Sequence, residues 1–548
     1  MKRMAGKIRR VGGALFTALL INAATLSHAK NLLPSVKQDS RPNILVIITD
    51  DQRFDTVKDF MPRTQARIFN EGMTFTRAYA TTPLCCPSRS SILTGMYASR
   101  HGVLNNDSTL KVPTFVPGLQ QSGYYTGLVG KYLNSEIATP KPGYDYWVGL
   151  PDEGSYNNPL LNLNGNWVAH QGYLTYLLRD YVIDFLRKAA ARGDQPFFLF
   201  FNPRTPHTPL EAAPGDENLY PDLLPHRPPS YNEIDLSDKP RWILSRPMLD
   251  ARADQEIDNL RRKQLQMLWS LDQSIDAILE ELKNQNQLDR TVIMYVSDNG
   301  YFWGEHRLIG KVRVYEPASR IALALRYPPL VPAGTVEPRL VANIDLTPTI
   351  MQLAGLTIPN DLDGRSLVSL LQTQTPPSWR SDLLIEAWPL DQPYSAVHTG
   401  RYVYVDNDND RPELYDLIKD PDQLQNSVDD PAYAAVAYDM RRRLRQLLTS
   451  VGDTTADDLL PSSFTLFQNH PNPFTRATTI RFHIIQPEEV SLQVFDLNGR
   501  LVATLTNRRF YPGEYALKFN ALSLPNGVYV YRLRAGASVQ QRKFAIIQ

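Results

Sequence analysis

Residues 85–95 read Cys85-Cys86-Pro87-Ser88-Arg89-Ser90-Ser91-Ile92-Leu93-Thr94-Gly95 and hold both cysteines of the 548-residue chain. Two adjacent cysteines exclude a disulfide framework, and C-x-x-C metal spacing is absent. Pro87 sits where a helix can begin, and Ser88 onwards reads as that helix. Cys85 then falls at the helix N-terminus with Arg89 about one turn away, and both features stabilise an anion there. Acidic pairs lie elsewhere: Asp50-Asp51 closes the apolar run N-I-L-V-I-I-T at 43–49, and Asp298-Asn299 follows another such run. Three carboxylates gathered at strand ends cannot all stay charged at close range without a cation. Hard oxygen donors of this kind suit calcium. Lys131 in G-K-Y-L-N and His207 in P-R-T-P-H-T-P-L each come just after a strand-like run, and Lys311 lies in I-G-K-V. Singly, each would be an ordinary solvated or satisfied residue. Their placement after successive strands favours a functional role.

The elements that must position these residues follow from the hydrophobic pattern. Runs at 43–49, 125–129, 196–201 and 291–296 are continuous and β-rich, as buried parallel strands require. Between them, 173–191 and 255–282 carry apolar residues on one helical face, the second stripe interrupted by Gln264. The expected fold is α/β, a large and mostly parallel central sheet flanked by helices, with ligands beyond the carboxyl ends of the strands. From about Ser381 short antiparallel strands and one amphipathic helix (Val436, Met440, Leu444, Leu447) predict a smaller α+β subdomain. A polar linker follows, then short strands separated by Asn498-Gly499, Pro512-Gly513 and Asn526-Gly527, the pattern of a β-sandwich module.

Lys2, Arg3, Lys7, Arg9 and Arg10 precede an apolar run at 12–26 and the small-x-small triplet Ser27-His28-Ala29. This is the pattern of a cleavable signal peptide, so no membrane span is expected after cleavage. Lys and Arg total 58 against 57 Asp and Glu, a net charge of +1, which argues against a general nucleic-acid binder. The expected organisation is 1–29 signal peptide, 30–380 catalytic α/β domain, 381–450 α+β subdomain, 451–463 linker and 464–548 β-sandwich.

The cysteine segment resembles the C-x-P-S-R-x-x-x-x-T-G signature of the type I sulfatases, in the alkaline-phosphatase-like superfamily. Asp50-Asp51, Lys131, His207, Asp298-Asn299 and Lys311 match its companion motifs in order. The resemblance covers roughly 40–450. It implies that a maturation enzyme oxidises Cys85 to Cα-formylglycine. Asp50, Asp51, Asp298, Asn299 and the modified Cys85 would be ligands of one Ca²⁺. The hydrate at 85 would attack the sulfur of a sulfate ester and release inorganic sulfate. Asp298 would assist deprotonation, Arg89 would hold the formylglycine oxygens, and Lys131 and Lys311 would bind sulfate. His207 would protonate the leaving alcohol or help release the intermediate. Many sulfatases carry His where this chain has Leu133. The G-K-Y-L-N form, with V-L-N-N at 103–106 and P-H-T-P-L-E-A-A-P from Pro206, resembles the N-acetylglucosamine-6-sulfatase and heparan endosulfatase branch.

Two further patterns weigh less. D-N-D-N-D at 406–410 begins like an EF-hand loop, but Arg411 and Leu417 stand at its sixth and twelfth positions, so it reads as a hairpin turn. His101 and His306 follow site motifs but are as readily structural.

The last segment, with F-T-L-F-Q-N-H-P-N-P-F at 464–474, L-P-N-G-V-Y-V-Y-R-L at 524–533 and the terminal Q-R-K-F-A-I-I-Q, resembles the type 9 secretion sorting domain. It implies use of an outer-membrane secretion machinery and delivery to the cell surface. Its rivals are a plain β-sandwich spacer and a carbohydrate-binding module that stacks aromatics such as Tyr511 and Tyr529 on sugar rings. The main expectation is an exported sulfatase acting on a sulfated glycan or sugar. The alternatives are a phosphate or phosphonate monoester hydrolase of the same superfamily, or a catalytically dead glycan-binding protein. Peptide mass spectrometry of protein from a host with the maturation enzyme is expected to find formylglycine at 85 and unmodified cysteine at 86. An intact thiol at 85 would favour the dead-enzyme alternative.

Overall fold

The computed structural model describes residues 41–134, 138–151, 154–372, 378–389, 391–450, 464–484, 487–497, 499–511, 513–521, 524–536 and 538–547. The expected signal peptide and linker lie outside these residues.

The large domain is built on ten strands: β1 (Asn43–Thr49), β2 (Met73–Phe75), β3 (Tyr125–Gly130), β4 (Tyr146–Gly149), β5 (Leu160–Leu163), β6 (Asn166–Ala169), β7 (Phe197–Asn202), β8 (Thr291–Ser297), β9 (Leu323–Arg326) and β10 (Thr335–Glu337). They order as β10-β2-β9-β8-β1-β7-β3-β4-β5-β6. The central five, β8-β1-β7-β3-β4, are parallel throughout. Antiparallel pairs β9–β8, β9–β2, β4–β5 and β5–β6 extend both edges, so the whole sheet is mixed around a parallel centre.

Every residue of β1 is buried, and the side chains alternate between two cores. Leu45 and Ile47 pack with α2 (Leu174–Ala190) and α3 (Ala251–Asn284), through Val182, Phe185, Leu271 and Ile275. Ile44, Val46 and Ile48 pack on the other face with Ile92, Leu93, Leu119 and Ile350. This double burial is why β1 lacks the polar alternation of a surface strand. Gln264, the break in the apolar stripe of α3, is itself buried and accepts a 2.7 Å hydrogen bond from the Trp303 indole.

The subdomain is a four-stranded antiparallel sheet, β11 (Leu383–Ala387), β12 (Tyr394–His398), β13 (Tyr402–Asn407) and β14 (Glu413–Asp416). A helix, Ala434–Ser450, buries Met440 and Leu444 against it. The subdomain core also takes in Tyr79, Tyr97 and Val314 of the large domain. The D-N-D-N-D run turns β13 into β14, and Asp410 there accepts from Arg241 Nε at 3.2 Å.

The C-terminal module has a three-stranded and a four-stranded antiparallel sheet enclosing one apolar core. Tyr529 belongs to that core, stacked 5.6 Å from Phe544, while Tyr511 is exposed. The pair of exposed aromatics that a sugar-binding reading needs is therefore reduced to Tyr511.

Gly130 ends β3 at φ +121°, and a Cβ there would stand 2.0 Å from the Asn202 carbonyl oxygen. That same carbonyl accepts from the Lys131 amide at 2.8 Å, so the missing side chain lets β3 close on β7 as the chain enters Lys131. Gly130→Ala is expected to destabilise the protein by roughly 3 kcal/mol in urea unfolding. A loss well under ~1 kcal/mol would mean that this junction has slack.

Candidate active site

Strand register assembles the acidic half of the site. Thr49 of β1 lies beside Ser297 of β8 in a parallel ladder. The residues that follow, Asp50-Asp51 and Asp298-Asn299, therefore emerge side by side at the carboxyl ends. Their backbones interlock: the Asp298 amide donates to Thr49 O at 3.0 Å, and the Asp51 amide to Asp298 Oδ1 at 3.2 Å. Asp51 adopts φ +62°, a conformation Asp tolerates better than most residues. One oxygen each from Asp50, Asp51 and Asp298 lie within 4.8 Å of one another.

The helix α1 (Cys85–Thr94) points its N-terminus at this cluster. It starts two residues before Pro87 rather than at it. Pro is accepted in the first turn because N–H groups there have no intrahelical partner to lose. Asn106 Oδ1 accepts from the Cys86 amide at 3.0 Å, and Gly95 at φ +71° ends the helix. Ser88 Oγ donates to Asp298 O at 2.5 Å and accepts from Asn343 Nδ2 at 2.9 Å, which locks α1 to the end of β8.

The residues expected to be catalytic or to hold the cation all arrive here. Cys85 Sγ is 3.3 Å from Asp50 Oδ1 and 4.0 Å from Asp51 Oδ1. Lys311 Nζ stands 2.8 Å from the same sulfur and also donates to Asp51 Oδ1. Arg89 Nε donates to Asp298 Oδ2 at 2.8 Å, and Lys131 Nζ to Asp50 Oδ2 at 2.6 Å. His207 Nε2 is 3.7 Å from Asp51 Oδ2. Asn299 Nδ2 donates to Asp51 Oδ1 at 2.8 Å. Cys85, Asp50, Asp298 and Asn299 are fully buried, whereas His207 (24% exposed) and Lys311 (13%) mark the solvent side.

Burial would raise the Asp50 carboxyl, but Lys131, His207, Arg89 and Lys311 outweigh it and hold that group well below the carboxylate range. Asp298 goes the other way, pushed up to about 6 by burial and by Asp50 despite Arg89 and Lys131. Burial and Asp50 also push the Cys85 thiol up, against the pull of Lys131 and Lys311. Among the described residues, Asn299 Oδ1 is buried without a hydrogen-bond donor. An unpaired amide oxygen beside three carboxylates fits a hard divalent cation, because all four groups offer oxygen.

Other residues have structural explanations. Cys86 is buried, with its Sγ 3.3 Å from Asn134 Oδ1. His101 bonds Ser91 Oγ at 3.1 Å and the Val103 amide at 3.1 Å, and burial lowers it to about 4, so it is a neutral core residue. His306 pairs with Glu233 at 2.6 Å and stacks on Tyr315. Leu133 is buried in an apolar core. Asn343 and Tyr156 escaped the sequence reading. Tyr156 donates to the His207 carbonyl at 3.0 Å, and neither residue carries a local motif that points to this role.

Fold and site together define an alkaline-phosphatase-like hydrolase. The sulfatase family profile matches residues 42–356, one described as N-sulphoglucosamine sulphohydrolase, C-terminal, matches 304–450, and a secretion system C-terminal sorting domain matches 469–548. The chain belongs to the sulfatase family, a family of sulfuric ester hydrolases. The N-acetylglucosamine-6-sulfatase of Capra hircus is 32% identical over 491 residues, covering 77% of this chain and 86% of that protein. An extracellular sulfatase SULF-1 homolog of Drosophila melanogaster is 34% identical over 412 residues, 69% of this chain but 37% of that longer protein. A solved structure described as a complex with its substrate D-glucosamine-2-N,6-O-disulfate superposes with TM-score 0.69 at 25% identity, covering 76% of this chain and 99% of that one. Among the described residues no helix is long and apolar enough to cross a membrane.

Cys86→Ala is expected to lower stability by about 1–2 kcal/mol, through lost packing and lost contacts to Asn106 and Asn134. Chemical denaturation checks this, and an unchanged midpoint would show the second sulfur to be idle.

Proposed function

We propose that this protein removes sulfate from a sulfated carbohydrate, with 6-O-sulfated glucosamine units as the substrate class. The observation that carries the reading is the convergence of Arg89, Lys131 and Lys311 with three carboxylates around the buried Cys85. The N-acetylglucosamine-6-sulfatase relatives and the glucosamine disulfate complex support the choice of sugar.

Asp50, Asp51, Asp298 and Asn299 are the oxygens that would hold Ca²⁺. Calcium and a Cα-formylglycine made from Cys85 together supply a Lewis acid and a hydrated aldehyde as nucleophile. The protein's own groups do the rest. Lys131 and Lys311 neutralise the sulfate oxygens, and Lys311 stands 2.8 Å from Cys85 Sγ, the position that an oxygen takes when the thiol is converted. Arg89 is anchored by Asp298 through Nε, and its buried Nη2, 3.5 Å from Asp50 Oδ2, is the group that would orient oxygens carried at position 85. Asp298 takes up the proton of the attacking hydroxyl. His207, at the solvent edge, gives a proton to the departing alcohol. Apart from His207 and Lys311 on the solvent side these groups are buried, so charge developing on sulfate is met by cations held in place. The leader and the sorting module support export to the cell surface, where a polymeric glycan is accessible.

Cys85→Ala is expected to reduce sulfate release from 6-O-sulfated N-acetylglucosamine at least ~1,000-fold while leaving the protein folded, as circular dichroism would check. Faster turnover of an aryl phosphate than of the matching aryl sulfate would sink the sulfatase reading. Calcium titration followed by calorimetry should show Asp51→Asn weakening binding by roughly 100-fold. Equal affinity in that variant would place the cation elsewhere.

A further inference from the structure

Lys311 is followed by Val312 at φ +86°. A β-branched residue in this region is an outlier that costs about 1–3 kcal/mol, and it persists only where its surroundings over-determine it. Two hydrogen bonds do so. The Val312 amide donates to Pro83 O at 3.0 Å, in the loop that leads into Cys85. The Val312 carbonyl accepts from Tyr394 Oη at 2.7 Å, on β12 of the subdomain. Tyr394 is 5% exposed and its ring lies in the subdomain core, so the hydroxyl is held in place.

The next residues are anchored as well. Arg313 donates to Gln392 O at 3.0 Å and pairs with Asp391 at 2.5 Å, and Val314 is buried in the subdomain core. If Val312 relaxed toward negative φ, the anchored side could not follow. The rotation would fall on Lys311, whose long side chain must meet both Cys85 Sγ and Asp51. A lysine has many rotamers, so the direction of its backbone origin decides whether the ammonium stays in reach.

We propose that Tyr394 is a positioning residue for Lys311: its hydroxyl clamps the strained Val312 peptide and so aims the lysine at the reacting position. This rests on the role of Lys311 in the proposed reaction. The subdomain thereby helps to complete the site through Tyr394.

The test is a double-mutant cycle on the full, matured chain, with kcat referred to the fraction converted at position 85. Tyr394→Phe keeps the ring and is expected to lower kcat about tenfold, with KM within about twofold and the melting temperature within a few degrees. In a Lys311→Ala background the same change is expected to alter kcat less than about twofold. Val312→Gly, which adopts positive φ without strain, is expected to recover most of the loss when combined with Tyr394→Phe. Full kcat in Tyr394→Phe, or losses that multiply in the Lys311→Ala background, overturn the inference while Lys311 keeps its role. Unimpaired turnover in Lys311→Ala alone removes that role and this inference with it.

Discussion

The structure depends on a charge balance that no surface could sustain. Asp50, Asp51 and Asp298 bring one oxygen each within 4.8 Å of one another, and all three residues are buried. Taking carboxylates out of water carries a penalty of several kcal/mol each unless it is offset locally. Arg89, Lys131 and Lys311 offset it, each held to at least one of the three acids. The arrangement is self-consistent only when all members are present, which is why residues from five separated segments must meet. It also leaves Asn299 Oδ1 and the raised Asp298 carboxyl as groups that one more positive charge would satisfy.

That requirement explains the scaffold. A parallel ladder between β1 and β8 delivers two acidic pairs at the same height, because equal register carries equal endings. Burial on both faces makes the ladder rigid, with α2 and α3 on one side and α1 on the other. The N-terminus of α1 then needs only the Ser88 and Asn343 bonds to set its distance from Asp298. The subdomain adds a further constraint, since its core extends into the large domain through Tyr79, Tyr97 and Val314. The segment bearing Lys311 runs between these bodies and is pinned by both.

The near-neutral net charge of +1 takes on a local meaning. Balanced charge over the chain is repeated locally, where three cations and three carboxylates are concentrated at one buried site rather than spread as a basic surface. Among the described residues, the secretion sorting domain forms its own apolar core.

Much of this was legible from residues alone. Continuous apolar runs mark the central strands because a doubly buried strand has no face to leave polar. The acids were legible because Asp50-Asp51 and Asp298-Asn299 stand at the ends of such runs. Cys85 stood out against a chain with no other thiol but its neighbour. Folding decided what depends on distance between remote segments. It started α1 at Cys85 rather than near Pro87, added antiparallel edges to the sheet, and turned His101, His306 and Tyr529 inward. It also recruited Asn343, Tyr156 and Tyr394, whose roles have no motif. The difference has one physical reason: periodicity and chain ends are local properties that sequence carries directly, whereas which hydroxyl or amide meets which carbonyl is settled only when separate elements pack.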